Sequence, residues 1–137
     1  NLQAVAQSQK VDLQFNSKDG PMVLLGDDKA LGQMATNLID NAIKYTSKSG
    51  TVKVGIEILQ GRAVLSVKDD GLGIDEADQE RIFERFYRVD KARSKSLGGT
   101  GLGLAIVKHI VNRHLGYINI ESDEDNGTTF TVQFPQN

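Results

Sequence analysis

The stretch TVKVGIEILQGRAVLSVKDDG, residues 51–71, constrains this chain more than any other. Residues 51–58 alternate apolar and polar, Gln60-Gly61 makes a tight turn, and RAVLSVKD (62–69) returns. Two such runs joined by a short glycine-containing turn define a β-hairpin. Parity then singles out one residue. Ala63, Leu65 and Val67 share a face and Asp69 continues it, whereas Ser66, Lys68 and Asp70 lie on the other. Asp69 is expected to point inward, and Asp70 to face water. An inward carboxylate is costly unless hydrogen-bond donors meet it. Two readings stay open: Asp69 caps the amides of its own Gly71-Leu72-Gly73 turn, or it accepts from a ligand donor such as an exocyclic amine.

Other segments supply the partners a hairpin needs. VDLQF (11–15) reads as a half-buried strand and PMVLLG (21–26) as a second short one. Asp27 or Asp28 can cap a helix that runs to about Thr46. EADQERIFERFYR (76–88) reads as one short helix or two, and residues 100–115 as another helix. GYINIES and GTTFTVQFP are closing strands around the acidic turn DEDN. The order is strands, helix, hairpin, helix, loop, helix, hairpin. It predicts an α/β (α+β) two-layer sandwich, with helices on one face of a mixed, mostly antiparallel sheet. Residues 1–10 read as a linker or the end of a preceding helix. The chain opens mid-pattern without Met, as a piece cut from a longer protein would.

Composition narrows the function classes. With 137 residues, 39% hydrophobic and 25% charged, the chain fits one domain with a real core. A net charge of −2 argues against bulk electrostatic binding to nucleic acid or an anionic membrane. There is no cysteine, and two histidines, His109 and His114, do not build a zinc site alone. No apolar run approaches the roughly 20 residues of a membrane span, and no signal peptide is evident.

The helix carrying NLIDNAIKY has an unusual stripe. At about 100° per residue, Leu31, Ala35, Leu38 and Ala42 cluster in one apolar sector. Asn37, Asn41, Lys44 and Tyr45 form a row beside it. Asparagine is a poor helix former because its amide competes for backbone hydrogen bonds. The pair either bonds to a neighbouring helix or lines a cleft, where amide oxygens suit a hydrated Mg²⁺ and Lys44 suits phosphate.

The run LGGTGLGLAIVKHIV (97–111) raises a related question. It lacks the lysine of a P-loop and the spacing of a dinucleotide fingerprint. What remains is bare backbone at a helix N-terminus, which accommodates anions. Arg81, Arg85, Arg88, Lys91, Arg93 and Lys95, six of the sixteen cations, lie just upstream. Residues 87–99 read as a mobile lid, with Phe83, Phe86 and Tyr87 as its anchors.

Taken in order, these pieces resemble the catalytic, ATP-binding domain of bacterial sensor histidine kinases. NLIDNAIKYT is similar to their N box, DDGLGI to the first glycine box, IFERFYR to the F box and GGTGLGLAI to the second glycine box. The likeness runs from about Lys10 to the end. FYRVDKARS is wording shared with the envelope-stress and phosphate-responsive kinases of Gram-positive bacteria. The resemblance implies the Bergerat fold of the GHKL superfamily, with ATP and Mg²⁺ as ligands. It implies that Asn41, with Asn37, takes Mg²⁺ and phosphate, that Lys44 reaches phosphate, and that Tyr45 lies over base or ribose. Asp69 would accept from the adenine N6 amine, in a pocket shaped by Gly71 and Gly73. Arg88 would approach the γ-phosphate. Gly99, Thr100, Gly101, Leu102 and Gly103 would offer backbone N–H groups to the phosphates. Asn41, Lys44 and Arg88 are thus the candidate catalytic residues. Asp70 stands where the family often has asparagine, a swap its outward orientation tolerates.

The resemblance also implies partners. The phosphoacceptor histidine of such kinases lies in a separate dimerisation and phosphotransfer domain, within a pattern like H-E-[LFI]-[RK]-[TN]-P. Neither His109 nor His114 matches it, and both read as helix-surface or core-edge residues. A response regulator would act downstream. The domain would be cytoplasmic and monomeric by itself, and its parent anchored in the cell membrane. The related gyrase, chaperone and mismatch-repair ATPases carry a glutamate as general base where this chain has Asn37. A nucleotide-sensing module without catalysis is the third reading.

Overall fold

The structure, a computed structural model, describes residues 4, 6–7, 11–17, 28–46, 50–71, 73–84, 103–123 and 126–135, with the backbone alone at 16, 17, 28 and 45. Five strands form one sheet: β1 (Asp12–Ser17), β2 (Thr51–Leu59), β3 (Arg62–Asp69), β4 (Tyr117–Asp123) and β5 (Gly127–Pro135), in the order β1-β2-β3-β5-β4. The hairpin lies at the centre, with Leu59 opposite Arg62 and Val52 opposite Asp69. Its two turn residues, Gln60 (φ 52°) and Gly61 (φ 75°), are both left-handed. Paired positive φ values match the right-handed twist of the flanking strands. β5 pairs antiparallel with β3 and β4, whereas β1 runs parallel to β2. A parallel pair requires a crossover, which helix α1 (Asp28–Tyr45) provides.

Helices α1 and α3 (Gly103–Arg113) pack against each other, α1 against β2 and β3, and α3 against β4. Leu38, Ile43, Val107 and Val111 meet Val52, Val67, Phe130 and Val132 in the core. Each such side chain contributes about 1.5–3 kcal/mol on burial. Helices on one face of a mixed, mostly antiparallel sheet are the expected two-layer sandwich.

Several expectations need correction. The buried side of α1 centres on Met34, Leu38, Ile39, Ala42 and Ile43, while Leu31 and Ala35 are only half-buried. The reason is that α1 packs both on the sheet and, to its side, on α3, so its apolar arc is wider than one stripe. Helix α2 covers only Glu76–Gln79. Beyond it the chain tightens into turns bonded from Arg81 to Asp78 and from Glu84 to Arg81. These drop Ile82 into the core and set Phe83 edge-on to Phe130, with ring centroids 6.3 Å apart. The last helix ends at Arg113, and Leu115 adopts a left-handed φ of 59°. Val11, just before β1, and Leu13 within it are buried, but Phe15 is 57% exposed. Ala6, near the chain start, is fully buried and its carbonyl accepts from the Val11 N–H at 2.9 Å. Ala6 therefore packs into the core. The expected strand 21–26, residue 27 of the cap and the lid at 87–99 lie outside the described residues.

Candidate functional site

Asp69 ends β3 and is 5% exposed, on the inward parity that the sequence predicts. Its Oδ1 accepts from the Gly71 N–H at 2.9 Å and from the Thr128 N–H at 3.3 Å. Self-capping of the turn is thus real, yet it occupies one carboxylate oxygen. No described residue donates to Oδ2. Burial raises the Asp69 pKa, the two backbone N–H groups oppose that shift, and the neighbouring Asp70 charge adds to it. The result is a desolvated acceptor with one lone-pair face left for a ligand's N–H.

Asp70 is exposed, as expected, but it has a task that parity does not reveal. Its Oδ1 accepts from the Thr51 N–H at 2.9 Å, holding the open end of the hairpin. Gly71 is buried, and Gly73 has a φ of 78° that only glycine adopts freely.

Four residues that the sequence reading passes over complete this end of the sheet. Gly127 has a φ of 78°, and a Cβ there would collide with the Asp69 carbonyl oxygen. Glycine is what lets β5 approach Asp69. Thr128 is 3% exposed, and its hydroxyl lies 2.7 Å from that of Ser122 on β4. Ser122 Oγ also accepts from the Ile74 N–H at 2.7 Å. The Gln79 amide donates to the Ile74 carbonyl at 2.7 Å. One signal for Thr128 was legible: it shares parity with Phe130, Val132 and Phe134, an inward polar residue like Asp69.

On α1, Asn37, Asn41 and Lys44 are all half-buried along one rim. Among the described residues neither asparagine side chain makes a hydrogen bond, to a neighbouring helix or otherwise. Lys44 Nζ sits 3.0 Å from Asp40 Oδ2, one turn back. The backbone of Tyr45 lies in the last turn, and its side chain lies outside the described residues. Gly103 opens α3, and among the described residues a Cβ there would meet no atom within 4 Å outside its own helix turn. Arg88, Gly99, Thr100, Gly101 and Leu102 lie outside the described residues. His109 is exposed on α3, while His114 bonds the Ile110 carbonyl at 2.8 Å and stands edge-on to Phe134. Both sit where a helix-surface and a core-edge histidine should.

An open cleft of about 360 Å³ lies against Ile74, Asp75, Glu76, Gln79, Ser122 and Asp123. Asp69 does not line it, and its acidic rim does not suit phosphate.

A sheet covered on one side, a desolvated acceptor at a strand end and a half-buried amide row on the covering helix define a nucleotide-binding α/β sandwich. The chain belongs to the family of histidine kinase-, DNA gyrase B- and HSP90-like ATPases, whose profile matches residues 26–137. As a member it is an ATP-binding domain. Over 131 residues it is 43% identical to the sensor-like histidine kinase SenX3 of Mycolicibacterium smegmatis, covering 96% of this chain and 34% of that one. It is equally similar, at 43% over 133 residues, to the sensor histidine kinase WalK of Bacillus subtilis, covering 96% of this chain and 22% of that one. The mycobacterial sensor histidine kinase MprB superposes with a TM-score of 0.83 at 32% identity, over 98% of this chain and 90% of that chain. The chain thus spans 34% and 22% of the length of these two curated relatives. Among the described residues no helix is long and apolar enough to cross a membrane.

Proposed function

We propose that this chain binds Mg-ATP and presents its γ-phosphate to a histidine on a separate dimerisation domain of the same sensor kinase. The observation that carries the reading is Asp69: a buried carboxylate with one oxygen saturated by backbone N–H groups and the other without a described donor. Such an acceptor selects a base that carries an exocyclic amine. Asn37 and Asn41 offer hard amide oxygens with no described partner, which fits Mg²⁺. The ion, when bound, neutralises phosphate charge. Lys44 moves from Asp40 to phosphate, and Tyr45 covers base or ribose. Gly71 and Gly73 shape the base pocket. Arg88 meets the γ-phosphate, and the N–H groups of Gly99, Thr100, Gly101, Leu102 and Gly103 receive the phosphates at the positive end of α3. At Gly103 the space a Cβ would take is open among the described residues, which is compatible with close approach of a phosphate.

The transfer itself asks little covalent chemistry of this chain. A ring nitrogen of the acceptor histidine attacks the γ-phosphorus, the P–N bond forms, and the bond to the β,γ-bridging oxygen breaks to release ADP. Positioning and charge neutralisation supply the acceleration. Hydrolysis is disfavoured because Asn37 has no useful basicity as a general base for water. A response regulator would then take the phosphate, and the parent would hold this part in the cytoplasm from a membrane anchor.

Calorimetric titration with ATP and Mg²⁺ tests the reading. Asp69→Asn should weaken ATP by about 10- to 100-fold, the worth of a hydrogen bond to a charged group. Unchanged affinity would remove the adenine assignment.

A further inference from the structure

We infer that Gln79 is a positioning residue for the base pocket, clamping the segment after the glycine turn onto β4. The inference rests on the nucleotide reading above. Its starting point is Ile74, which follows Gly73 and belongs to neither helix nor strand. Neither of its backbone polar groups has a backbone partner among the described residues. Side chains do that work instead. Ser122 Oγ accepts from the Ile74 N–H at 2.7 Å. The Gln79 amide donates to the Ile74 carbonyl at 2.7 Å and, more weakly, to the Ser122 carbonyl at 3.4 Å. Gln79 thus bridges the two segments from the first turn of α2.

The clamp connects directly to Asp69. Ser122 shares a hydrogen with Thr128 at 2.7 Å, and the Thr128 N–H bonds Asp69 Oδ1 at 3.3 Å. On the other side, the Gly71 N–H bonds the same oxygen at 2.9 Å. The segment from Asp69 to Ile74 is therefore held at both ends. At Asp69 the carboxylate fastens it to β5, and at Ile74 the Gln79–Ser122 pair fastens it to β4. If the second fastening opens, the wall beside Asp69 loses its fixed distance from the acceptor oxygen. A hydrophobic side chain at position 79 fills similar volume but donates nothing.

The mutations Gln79→Leu and Ser122→Ala, made in this chain, test the clamp with ADP and with IDP. IDP keeps the phosphates but carries a 6-oxo group in place of the 6-amine. Gln79→Leu is expected to lower ADP affinity about three- to tenfold, the range for one hydrogen bond. IDP affinity should change less, so the ADP-to-IDP ratio falls. The Ile74 amide should also exchange faster with solvent in Gln79→Leu, read by nuclear magnetic resonance. Ser122→Ala should give the same ratio change and keeps the test open if Gln79→Leu does not fold. Equal losses for ADP and IDP in both variants would mean a general structural role and would overturn the inference. So would unchanged ADP affinity in both variants, provided Asp69→Asn still weakens ADP. Failure of the parent chain to bind ADP at all would sink the nucleotide reading, and the clamp with it.

Discussion

Asp69 serves two ends that conflict. Burial raises its folded pKa above the unfolded value of about 3.9, so the folded state binds the proton more tightly than the unfolded one. Stability contributed by this group therefore falls as pH rises from the ordinary carboxylate range through the raised value, and stays lower above it. Asp69→Asn removes that penalty while its amide oxygen can still accept from Gly71 and Thr128. The variant should unfold at higher urea concentration than the parent chain at neutral pH, with the gap closing toward about pH 4. ATP affinity of the parent chain should fall over the same window, as the carboxylate is protonated. A variant less stable than the parent at neutral pH would show that its backbone hydrogen bonds outweigh the cost of burial. Gly127, beside it, is a position that favours glycine alone. Gly127→Ala places a Cβ against the Asp69 carbonyl and strains a φ of 78°. It should cost about 2–4 kcal/mol in urea unfolding.

Helix α1 carries two messages on one cylinder. Its apolar arc was legible because helical period is a local property, three and four residues apart. The width of that arc was not, because α3 covers a second side that no local pattern announces. The amide row is separable from the packing. Asn41→Ala should leave the helix as stable or slightly more so, since alanine is the better helix former by up to about 0.7 kcal/mol. The same variant should lose the Mg²⁺ dependence of ATP binding in the titration. Retention of full Mg²⁺ dependence would move the ion elsewhere. Helix α2 shows the opposite limit. EADQERIFERFYR has helical composition throughout, yet only Glu76–Gln79 is helical within its described part. Burial of Ile82 and the edge-on contact of Phe83 with Phe130 override local propensity.

At the scale of the molecule, one end of the sheet gathers Asp69, Gly127 and Thr128, and the covering helix presents its amide row beside the core. Neither His109 nor His114 lies in an acceptor motif. Incubated with labelled ATP and Mg²⁺, the chain by itself should form no acid-labile phosphohistidine. On the proposed function, adding a histidine-bearing dimerisation domain from one of the similar sensor kinases should produce one there. Label on His109 or His114 would overturn the division of labour. Hydrolysis of ATP by the isolated chain, lost in Asn37→Ala, would favour the ATPase reading instead.

Within 137 residues the central hairpin, the inward parity of Asp69, the sidedness of α1 and the family motifs were all set by neighbours close in sequence. Periods of 2 and 3.6 record which face a side chain takes, whatever covers it. The bond from Thr128 to Asp69 spans 59 positions, and the one from Ile74 to Ser122 spans 48. Those contacts follow from strand order and register, which bring distant segments together through burial of the shared core. Sequence thus determined that a carboxylate would be turned inward at the end of β3. Tertiary structure decided how it is held, because the donors that offset its burial come from whichever strand the sheet places beside it.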